Sequence, residues 1–426
     1  MLCPYPGCSE EIKPEYTSCV KCESPIVFCK HCKAPNRAMS VYCRQCGRPI
    51  LYTHQWSCYR GSEDLVSSVS YNFPIKYSYH IKWHLSLKQS IRAPLIYYKA
   101  FLFACSLDGK LFIINTQANR TKHELVAEVS LGANEKVLFA PFVKDEKLFI
   151  PTLKSIYWID LTLAFNQTQY IRSMVKAQTF FTLKGSDYFF TSHVNYFNNS
   201  LVVRATDSTG TKGGLYFIDT KSQEAKFLDF PVKITCPLVK NEVIYIGDSS
   251  GLLYKIGTDY KLFTLDKIQI PQGIDVEKSP TVIKDKVIYV NNQGKLYGYY
   301  YQTDDRVSHI GSAGSKAITA FAANQEKIVV GDNNGVDIYD LYGILKFSIN
   351  EKLALADPVT TDPIVTKNSI IYGGQRGILY IASLHNPNHF RKVMIGRTPI
   401  VSNPAIHNDM VFVSDQNGEI KCIQAV

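Results

Sequence analysis

Residues 237–254, PLVKNEVIYIGDSSGLLY, and residues 280–297, PTVIKDKVIYVNNQGKLY, repeat one pattern 43 residues apart. In each stretch a proline precedes an apolar strand, and a second strand rich in Val, Ile and Tyr follows. An Asp or Asn then leads into a glycine turn and a third strand. Runs of β-branched and aromatic residues around glycine turns are typical of buried or half-buried antiparallel strands. A repeat of this length and content predicts the four-stranded blade of a β-propeller.

The same unit recurs along most of the chain. The clear copies begin at Pro94, Pro237, Pro280, Pro363 and Pro404 and turn at Gly109, Gly251, Gly294, Gly377 and Gly418. Degenerate copies around Pro141, Gly214 and Gly335 bring the number to eight. The last copy lacks a fourth strand, so we expect the unmatched strand 80–87 to complete it and close the ring. We therefore predict a mainly β chain with an eight-bladed propeller over residues 79–426. Seven blades is the alternative if the copy before Gly214 merges with a neighbour.

The propeller region resembles the pyrroloquinoline-quinone-type, or quinoprotein-like, family of eight-bladed propellers. The resemblance rests on Trp83, on residues 93–94 (Ala-Pro) and on residues 108–112 (Asp-Gly-Lys-Leu-Phe). Family members with dehydrogenase activity carry a vicinal disulfide over the quinone, a tryptophan platform beneath it and acidic calcium ligands. This chain has no adjacent cysteines and three tryptophans. The resemblance therefore implies the fold and not quinone chemistry, and other relatives use the ring as a scaffold for binding proteins.

Eight of the 12 cysteines lie in the first 50 residues, as two copies of one pattern. They are Cys3, Cys8, Cys19, Cys22, Cys29, Cys32, Cys43 and Cys46. Two close pairs separated by ten residues place four thiolates around one tetrahedral zinc ion. We therefore predict two structural Zn²⁺ ions in a double zinc ribbon over residues 1–50, with no open coordination position for water or substrate. A disulfide-rich secreted module is the alternative. Because no signal-peptide-like segment follows Met1, we expect a reducing, cytoplasmic location.

Residues 29–35 (Cys-Lys-His-Cys-Lys-Ala-Pro) and 42–47 (Tyr-Cys-Arg-Gln-Cys-Gly) resemble the knuckles of the bacterial and archaeal double zinc ribbon family. The pair Cys3 and Cys8 departs from that pattern, with four residues between the cysteines instead of two. His31 lies inside a knuckle, but four cysteines already complete its site, so we do not assign it as a ligand.

Other residue patterns have both a structural and a functional interpretation. Four turns that end at Gly251, Gly294, Gly335 and Gly418 contain Asp or Asn, as calcium loops do. We interpret them as hairpin turns, because they lack the further oxygen ligands that calcium needs. We interpret the tyrosines that recur in the blades as packing residues and not as a stacking platform for bases. They are Tyr245, Tyr254, Tyr289, Tyr297, Tyr372 and Tyr380.

The remaining cysteines do not form a predicted site. We expect Cys105, Cys236 and Cys422 to be small buried apolar groups within or beside strands. Cys58 lies outside both copies of the zinc pattern, and a redox or ligand role for it remains open.

Charge and motifs limit the classes of function. The net charge of +10, from 47 basic and 37 acidic residues, favours an acidic partner. Basic residues around the second cysteine site suit phosphate or an acidic peptide equally well: Lys30, Lys33, Arg37, Arg44 and Arg48. We find no catalytic constellation, phosphate-binding glycine motif or paired zinc-protease histidines, so we predict no enzyme activity. No apolar run approaches the roughly 20 residues that span a bilayer.

Residues 51–78 connect the two predicted modules and contain Trp56 and Phe73. A freely flexible tether holds fewer aromatic residues, so we expect part of the connector to pack on the propeller rim. The sequence favours a non-catalytic zinc-binding adaptor that binds protein partners through the ribbon and the propeller. The first alternative is nucleic-acid binding by the basic ribbon, with the propeller recruiting protein. The second is a propeller enzyme with a quinone or other ligand in its central channel.

Overall fold

Eight sheets, seven of four strands and one of five, are arranged as the blades of a propeller and account for most of the chain in the computed structural model. A separate hairpin, Ile26–Phe28 with Pro35–Arg37, lies in the cysteine-rich region. The structure describes all of the chain except residues 6, 15, 17, 25, 30–31, 38–42, 46–55, 63–64, 66, 70–72, 74–77, 120–121, 166–173, 303–305, 313–319, 350–356, 387 and 426. The predicted fold class is confirmed, and the alternative of seven blades is wrong.

The first four blades are built from consecutive antiparallel strands. Blade 1 contains Ile96–Tyr98, Phe101–Cys105, Lys110–Asn119 and Lys122–Ser130. Blade 2 contains Phe142–Lys144, Lys147–Pro151, Ser155–Asp160 and Gln178–Thr182. Blade 3 contains Asn195–Phe197, Ser200–Asp207, Gly213–Asp219 and Ala225–Phe230, with Tyr188–Phe190 as an additional strand. Blade 4 contains Leu238–Lys240, Val243–Gly247, Leu252–Ile256 and Leu262–Gln269.

The next three blades repeat this order, and the eighth combines both ends of the chain. Blade 5 contains Thr281–Ile283, Lys286–Val290, Lys295–Tyr300 and Arg306–Ser312. Blade 6 contains Ala320–Ala323, Lys327–Asp332, Gly335–Asp340 and Leu345–Ser348. Blade 7 contains Ile364–Val365, Ser369–Gly373, Ile378–Ser383 and Phe390–Met394. Blade 8 contains Ala405–His407, Met410–Ser414, Glu419–Ala425 and Tyr79–Ser86. The first strands of several neighbouring blades contact one another, which places these strands around the central channel.

The ring is closed by pairing between its two ends. Tyr79–Ser86 is antiparallel to Glu419–Ala425, with Trp83 opposite Cys422. Trp83 is buried and packs against Phe412 at 6.0 Å between ring centroids. The strand predicted at 80–87 therefore lies one residue earlier and removes the exposed edge that the last blade would otherwise have.

The turns that contain Asp or Asn use their side-chain oxygens within the turn. Oδ1 of Asp248 accepts hydrogen bonds from the backbone N–H groups of Ser250, at 2.9 Å, and Leu252, at 3.0 Å. Gly251 has a φ of +98°, and a Cβ there would lie 2.2 Å from the carbonyl oxygen of Ile270. Turn geometry thus explains both the Asp and the Gly of this repeated motif.

The recurrent tyrosines are packing residues, because all six are buried between sheets. Two of them also satisfy buried carboxylates. The hydroxyl of Tyr254 donates to Asp248 at 2.6 Å, and that of Tyr380 donates to Asp357 at 2.8 Å. Burial of the ring with a partner for the hydroxyl is the arrangement expected of an interior tyrosine.

Helical structure is a minor component. A short α-helix, Leu161–Ala164, follows the third strand of blade 2, and a 3₁₀ turn, Tyr59–Gly61, lies in the connector. In the part of the chain that the structure describes, no helix has the length and apolar character needed to cross a membrane.

Candidate metal centres and the central channel

The first cysteine cluster brings together all four predicted ligands. The Sγ atoms of Cys3, Cys8, Cys19 and Cys22 all lie within 4.8 Å of one another. Cys3 and Cys22 are 3.8 Å apart, and Cys8 and Cys19 are 3.6 Å apart. Tetrahedral coordination with Zn–S bonds of about 2.3 Å requires S···S separations of about 3.8 Å. The longer spacing between Cys3 and Cys8 is therefore compatible with a four-sulfur metal site.

The second cluster contains three of its predicted ligands. The Sγ atoms of Cys29, Cys32 and Cys43 lie within 4.8 Å of one another, and those of Cys32 and Cys43 are 3.4 Å apart. Cys46, the fourth predicted ligand, and His31 fall outside the described residues. Both clusters are able to hold a metal ion.

The two inner cysteine pairs have the same knuckle geometry. The N–H of Glu23 donates to the carbonyl of Cys19 at 2.8 Å, and the N–H of Lys33 donates to that of Cys29 at 2.9 Å. Glu23 and Lys33 both adopt the left-handed conformation, with φ of 55° and 59°. The knuckle therefore turns in the same way in both copies of the sequence pattern.

Asn36 supports the second cluster and was not identified from the sequence. Its side chain is fully buried, donates to the carbonyl of Ala34 at 2.8 Å and donates to Sγ of Cys43 at 3.5 Å. Its Oδ1 accepts from the N–H of Arg44 at 2.7 Å. One amide thus links the two cysteine pairs of this site, as outer groups commonly do around metal ligands.

The charge state of the first cluster depends on metal. Burial raises the pKa of Cys3 and of Cys19, so these groups are thiols at neutral pH when no metal is bound. Burial also acts to raise the pKa of Cys22, but hydrogen bonds from Ser24 outweigh it and lower that pKa to about 7. Metal binding is therefore expected to release protons from this cluster.

Two of the basic residues near the second cluster hold the two clusters together. Nε of Arg37 donates to the carbonyl of Pro4 at 3.1 Å, and the guanidinium lies over the ring of Tyr5 at 5.6 Å. Nη2 of Arg44 donates to the carbonyl of Leu2 at 3.4 Å. Lys30 and Arg48 fall outside the described residues. Arg37 and Arg44 are thus engaged within the ribbon.

The described residues 56–62 and 67–69 of the connector lie in the central channel and not on the rim, whereas Phe73 packs further out, where it exchanges two hydrogen bonds with Asn368 and stacks on Tyr79 of the closing strand. Trp56 pairs with Tyr97 on the innermost strand of blade 1, and the N–H of Val143 in blade 2 donates to Ser57 at 2.9 Å. On blade 7, the N–H of Val365 donates to the carbonyl of Ser67 at 2.9 Å. The connector therefore forms backbone hydrogen bonds with innermost strands on different sides of the channel. Hydrogen bonding by unpaired inner edges explains why an aromatic-rich segment is drawn inward.

Arg60 and Asp362 form a buried ion pair where the connector turns. Nη2 of Arg60 donates to Oδ1 of Asp362 at 2.8 Å and to the carbonyl of Phe321 at 2.8 Å. Asn403 donates to Oδ2 of Asp362 at 2.7 Å, and the hydroxyl of Tyr59 donates to the same oxygen. Burial acts to raise the pKa of Asp362, but the Arg60 guanidinium and these hydrogen bonds lower it to about 2. The carboxylate is therefore charged at neutral pH.

His193 packs beside this pair as a neutral ring. It stacks on Tyr59 with ring centroids 3.5 Å apart, and its Nδ1 accepts from the N–H of Ala140 at 2.6 Å. Burial lowers the pKa of His193 to about 3. The ring therefore serves as a packing surface for the connector and is not positioned as a proton donor at neutral pH.

The cysteines outside the two clusters are buried. Cys58, Cys105, Cys236 and Cys422 each have at most 6% of their surface exposed, and burial raises the pKa of Cys105, Cys236 and Cys422. Cys58 and Cys236 line one small space beside Tyr59 and His193. Their burial agrees with the packing role predicted for the three strand cysteines.

The sequence matches no family model, and no curated protein matches it significantly. Solved structures show the same fold at low sequence identity. BamB from Moraxella catarrhalis is 13% identical, with a TM-score of 0.60, over 82% of this chain and 100% of that one. A europium-containing methanol dehydrogenase is 11% identical, with a TM-score of 0.63, over 85% of this chain and 89% of that one. The quinohemoprotein alcohol dehydrogenase from Comamonas testosteroni is 8% identical, with a TM-score of 0.64, over 88% of this chain and 80% of that one. The chain thus has the quinoprotein-like propeller fold, with cysteine clusters that could bind zinc ahead of it.

Proposed function

We propose that the protein is a non-catalytic adaptor of the cytoplasm, in which a ribbon with two structural zinc ions and an eight-bladed propeller bind protein partners. The observation that carries the proposal is the position of the connector. Its described residues occupy the channel between Tyr97, Val143 and Val365, where a propeller enzyme would hold its ligand, and they anchor the ribbon side of the chain to the ring. The loops and outer faces of the blades then remain for binding.

Zinc is the metal proposed for both clusters. Four cysteine sulfurs at tetrahedral separations are typical of structural zinc, and a reducing compartment keeps such thiols available. Because four sulfur ligands fill the coordination sphere, the ion supplies folding energy to the ribbon and no reactive water.

A quinone does not fit this channel. Some structures with the same fold are alcohol or methanol dehydrogenases. Here, however, Tyr59 and Arg60 occupy the channel and bind groups of blades 3, 5, 6 and 7. We therefore propose that the protein does not bind a quinone in this channel and is not an enzyme.

Nucleic-acid binding by the ribbon is the less favoured function. The net charge of +10 would suit it. Arg37 and Arg44, however, donate to backbone carbonyls of the first cluster, so contact with phosphate would compete with these bonds.

The test is capture of partners from the native host by the full chain and by two variants of one ligand. Cys8→Ser removes a zinc ligand, whereas Cys8→His retains one and serves as the matched control. The adaptor function is supported by a protein partner that stays bound to the full chain in nuclease and high salt. This partner should not bind the Cys8→Ser variant and should bind the Cys8→His variant. Recovery of nucleic acid alone, with affinity that falls steeply as salt rises, supports the less favoured function. A small molecule retained by the purified chain in native mass spectrometry would contradict the proposal that the connector takes the place of a ligand in the channel.

A further inference from the structure

We propose that one mouth of the channel is an arginine-binding site, which the chain fills with its own Arg60 and which an arginine of another peptide can enter when the connector withdraws. We call this end the interblade mouth, because it is formed by the loops that link one blade to the next, at residues 277–279, 360–362 and 403. The inference goes beyond the adaptor function, since it concerns the chemical group that the propeller recognises.

The acceptors around Arg60 match a planar guanidinium. Nη2 of Arg60 donates to Asp362 and to the Phe321 carbonyl, as described above. Nη1 lies 3.4 Å from the carbonyl of Ser279 and 3.4 Å from that of Leu65 in the connector, and the ring of Phe321 is 5.4 Å from the guanidinium carbon. Three blades thus supply a carboxylate, two carbonyls and an aromatic face to one side chain. Arginine offers donors in a fixed fork and stacks on aromatic rings, whereas the lysine ammonium is a compact, strongly hydrated charge.

Groups of the propeller hold Asp362 in place, in addition to the hydrogen bond from Tyr59 of the connector. The N–H of Asp362 donates to Oδ1 of Asn403 at 2.9 Å, and Nδ2 of Asn403 donates back to Oδ2 at 2.7 Å. This pair links blade 7 to blade 8 and fixes the orientation of the carboxylate. The ring thus supplies the carboxylate and its orientation, and we expect this part of the site to persist when Arg60 leaves.

An incoming side chain has room to reach the carboxylate. A cavity of about 160 Å³ lies beside the ion pair, and its lining includes Tyr59 and Arg60 of the connector and Glu277, Lys278, Asp362 and Asn403 of the ring. The Asp362 side chain is 16% exposed, whereas that of Arg60 is 2% exposed. The cavity thus lies where the connector and the interblade loops meet, and the carboxylate is more accessible than the guanidinium that it binds.

The connector is a strained occupant. Arg60, Leu65 and Ser67 have φ values of 57°, 52° and 53°, which side chains other than glycine rarely adopt. Nε of Arg60 is also buried with no acceptor among the described residues. An arginine presented by an extended peptide avoids these backbone costs, so it can compete for the site.

The first experiment replaces the missing side chain chemically. Arg60→Ala in the full chain removes the guanidinium, and N-ethylguanidinium, which has the shape of the deleted atoms, is added at millimolar concentration. We expect the midpoint of thermal unfolding of the variant to rise by about 1–2 °C, as for a ligand that binds only the folded protein. Wild type, whose site is filled, should not respond. Propylammonium, which has a similar alkyl chain and charge, should not stabilise the variant.

The double variant Arg60→Ala/Asp362→Asn controls for the site itself. The site is not selective for arginine if N-ethylguanidinium stabilises the double variant as much as the single variant. The same conclusion holds if propylammonium stabilises the single variant as much as N-ethylguanidinium does. The proposal is also overturned if N-ethylguanidinium does not raise the midpoint of thermal unfolding of the folded single variant.

Hydrogen exchange of the wild-type chain tests whether the connector withdraws from the channel, and it does not depend on a variant that folds. The N–H groups of Val143 and Val365 donate to connector carbonyls, so their protection depends on the connector remaining in the channel. We expect them to exchange at least about tenfold faster than the amides of Leu148, Phe149 and Ile150 and of Ser369–Gly373, which lie on second strands within the same blades. Equal protection would mean that the connector leaves only when the whole ring unfolds, and the site would then be closed to other peptides.

Discussion

Removal of the negative charge at Asp362 should destabilise the folded chain and abolish one component of its acid sensitivity. The pKa of Asp362 is about 2 in the folded protein, against about 3.9 for an unfolded aspartate. Because the folded pKa is the lower one, the ionised group stabilises the fold above about pH 4. This stabilisation is lost as the pH falls from about 4 to about 2. The difference corresponds to roughly 2–3 kcal/mol at neutral pH.

We therefore expect Asp362→Asn to lower the free energy of unfolding by about 3 kcal/mol at neutral pH, since it leaves the Arg60 guanidinium buried without its counter-ion. Urea titrations followed by tryptophan fluorescence, at pH values from near 7 to near 3, measure this, because Trp56 and Trp83 are buried in the native ring. The difference in free energy of unfolding between wild type and Asp362→Asn should become smaller as the pH approaches 3.

The matched control is Asp259→Asn, which removes the same charge from a half-exposed turn carboxylate that forms an ion pair with Lys261. Acid also releases metal from cysteine sites, but this effect is common to wild type and variants and cancels in the comparison. If the pH curves of wild type and Asp362→Asn run parallel, or if Asp362→Asn costs no more than Asp259→Asn, the assigned electrostatic role of the pair is wrong.

Three further predictions concern the metal clusters and the closure of the ring. Cys8→Ser should reduce bound zinc from two ions to one per chain in metal analysis; two ions in this variant would contradict the assignment of the first cluster. Asn36→Ala, which removes the amide that donates to Cys43, should weaken zinc binding at the second cluster by about 10–100-fold in competition with a chromogenic chelator. The first cluster should be unchanged, and equal weakening of both would show that Asn36 acts on the ribbon as a whole. Trp83→Ala should lower the free energy of unfolding by about 3–5 kcal/mol in urea titrations, because Trp83 is buried on the closing strand. A cost below about 1 kcal/mol would mean that this strand contributes little to closure.

The blades could be predicted from the sequence because each one is specified locally. A turn such as 248–251 contains its own capping carboxylate and its own glycine, and the flanking strands pair with neighbours a few residues away. The weak copy before Gly214 is a complete blade for the same reason, although its turn is longer. Local patterns of this kind are visible in one sequence without knowledge of the ring.

The contents of the channel could not be predicted, because they depend on the closed ring. Arg60 and Asp362 are 302 residues apart, and no spacing relates them. The aromatic content of the connector indicates that it packs, but the surface on which it packs exists only when eight inner strands have been brought together. The metal clusters could be predicted in part. The cysteine spacing identifies the ligands, whereas Asn36 is an ordinary polar residue whose role follows from burial beside Cys43.

The connector gives the two modules a common anchor, and this has a consequence for partner binding. It precedes the closing strand Tyr79–Ser86 directly in sequence and reaches the interblade mouth through Arg60. A partner bound at that mouth would contact Asp362 and compete with Arg60, so Asp362→Asn should change its affinity. A partner bound on the outer strands of the blades lies far from the pair, and its affinity should stay the same as long as the ring is folded. Binding measurements with Asp362→Asn, at a temperature where the variant is fully folded, therefore locate the partner on the propeller. They also distinguish an adaptor whose connector only anchors the ribbon from one in which the connector responds to the partner.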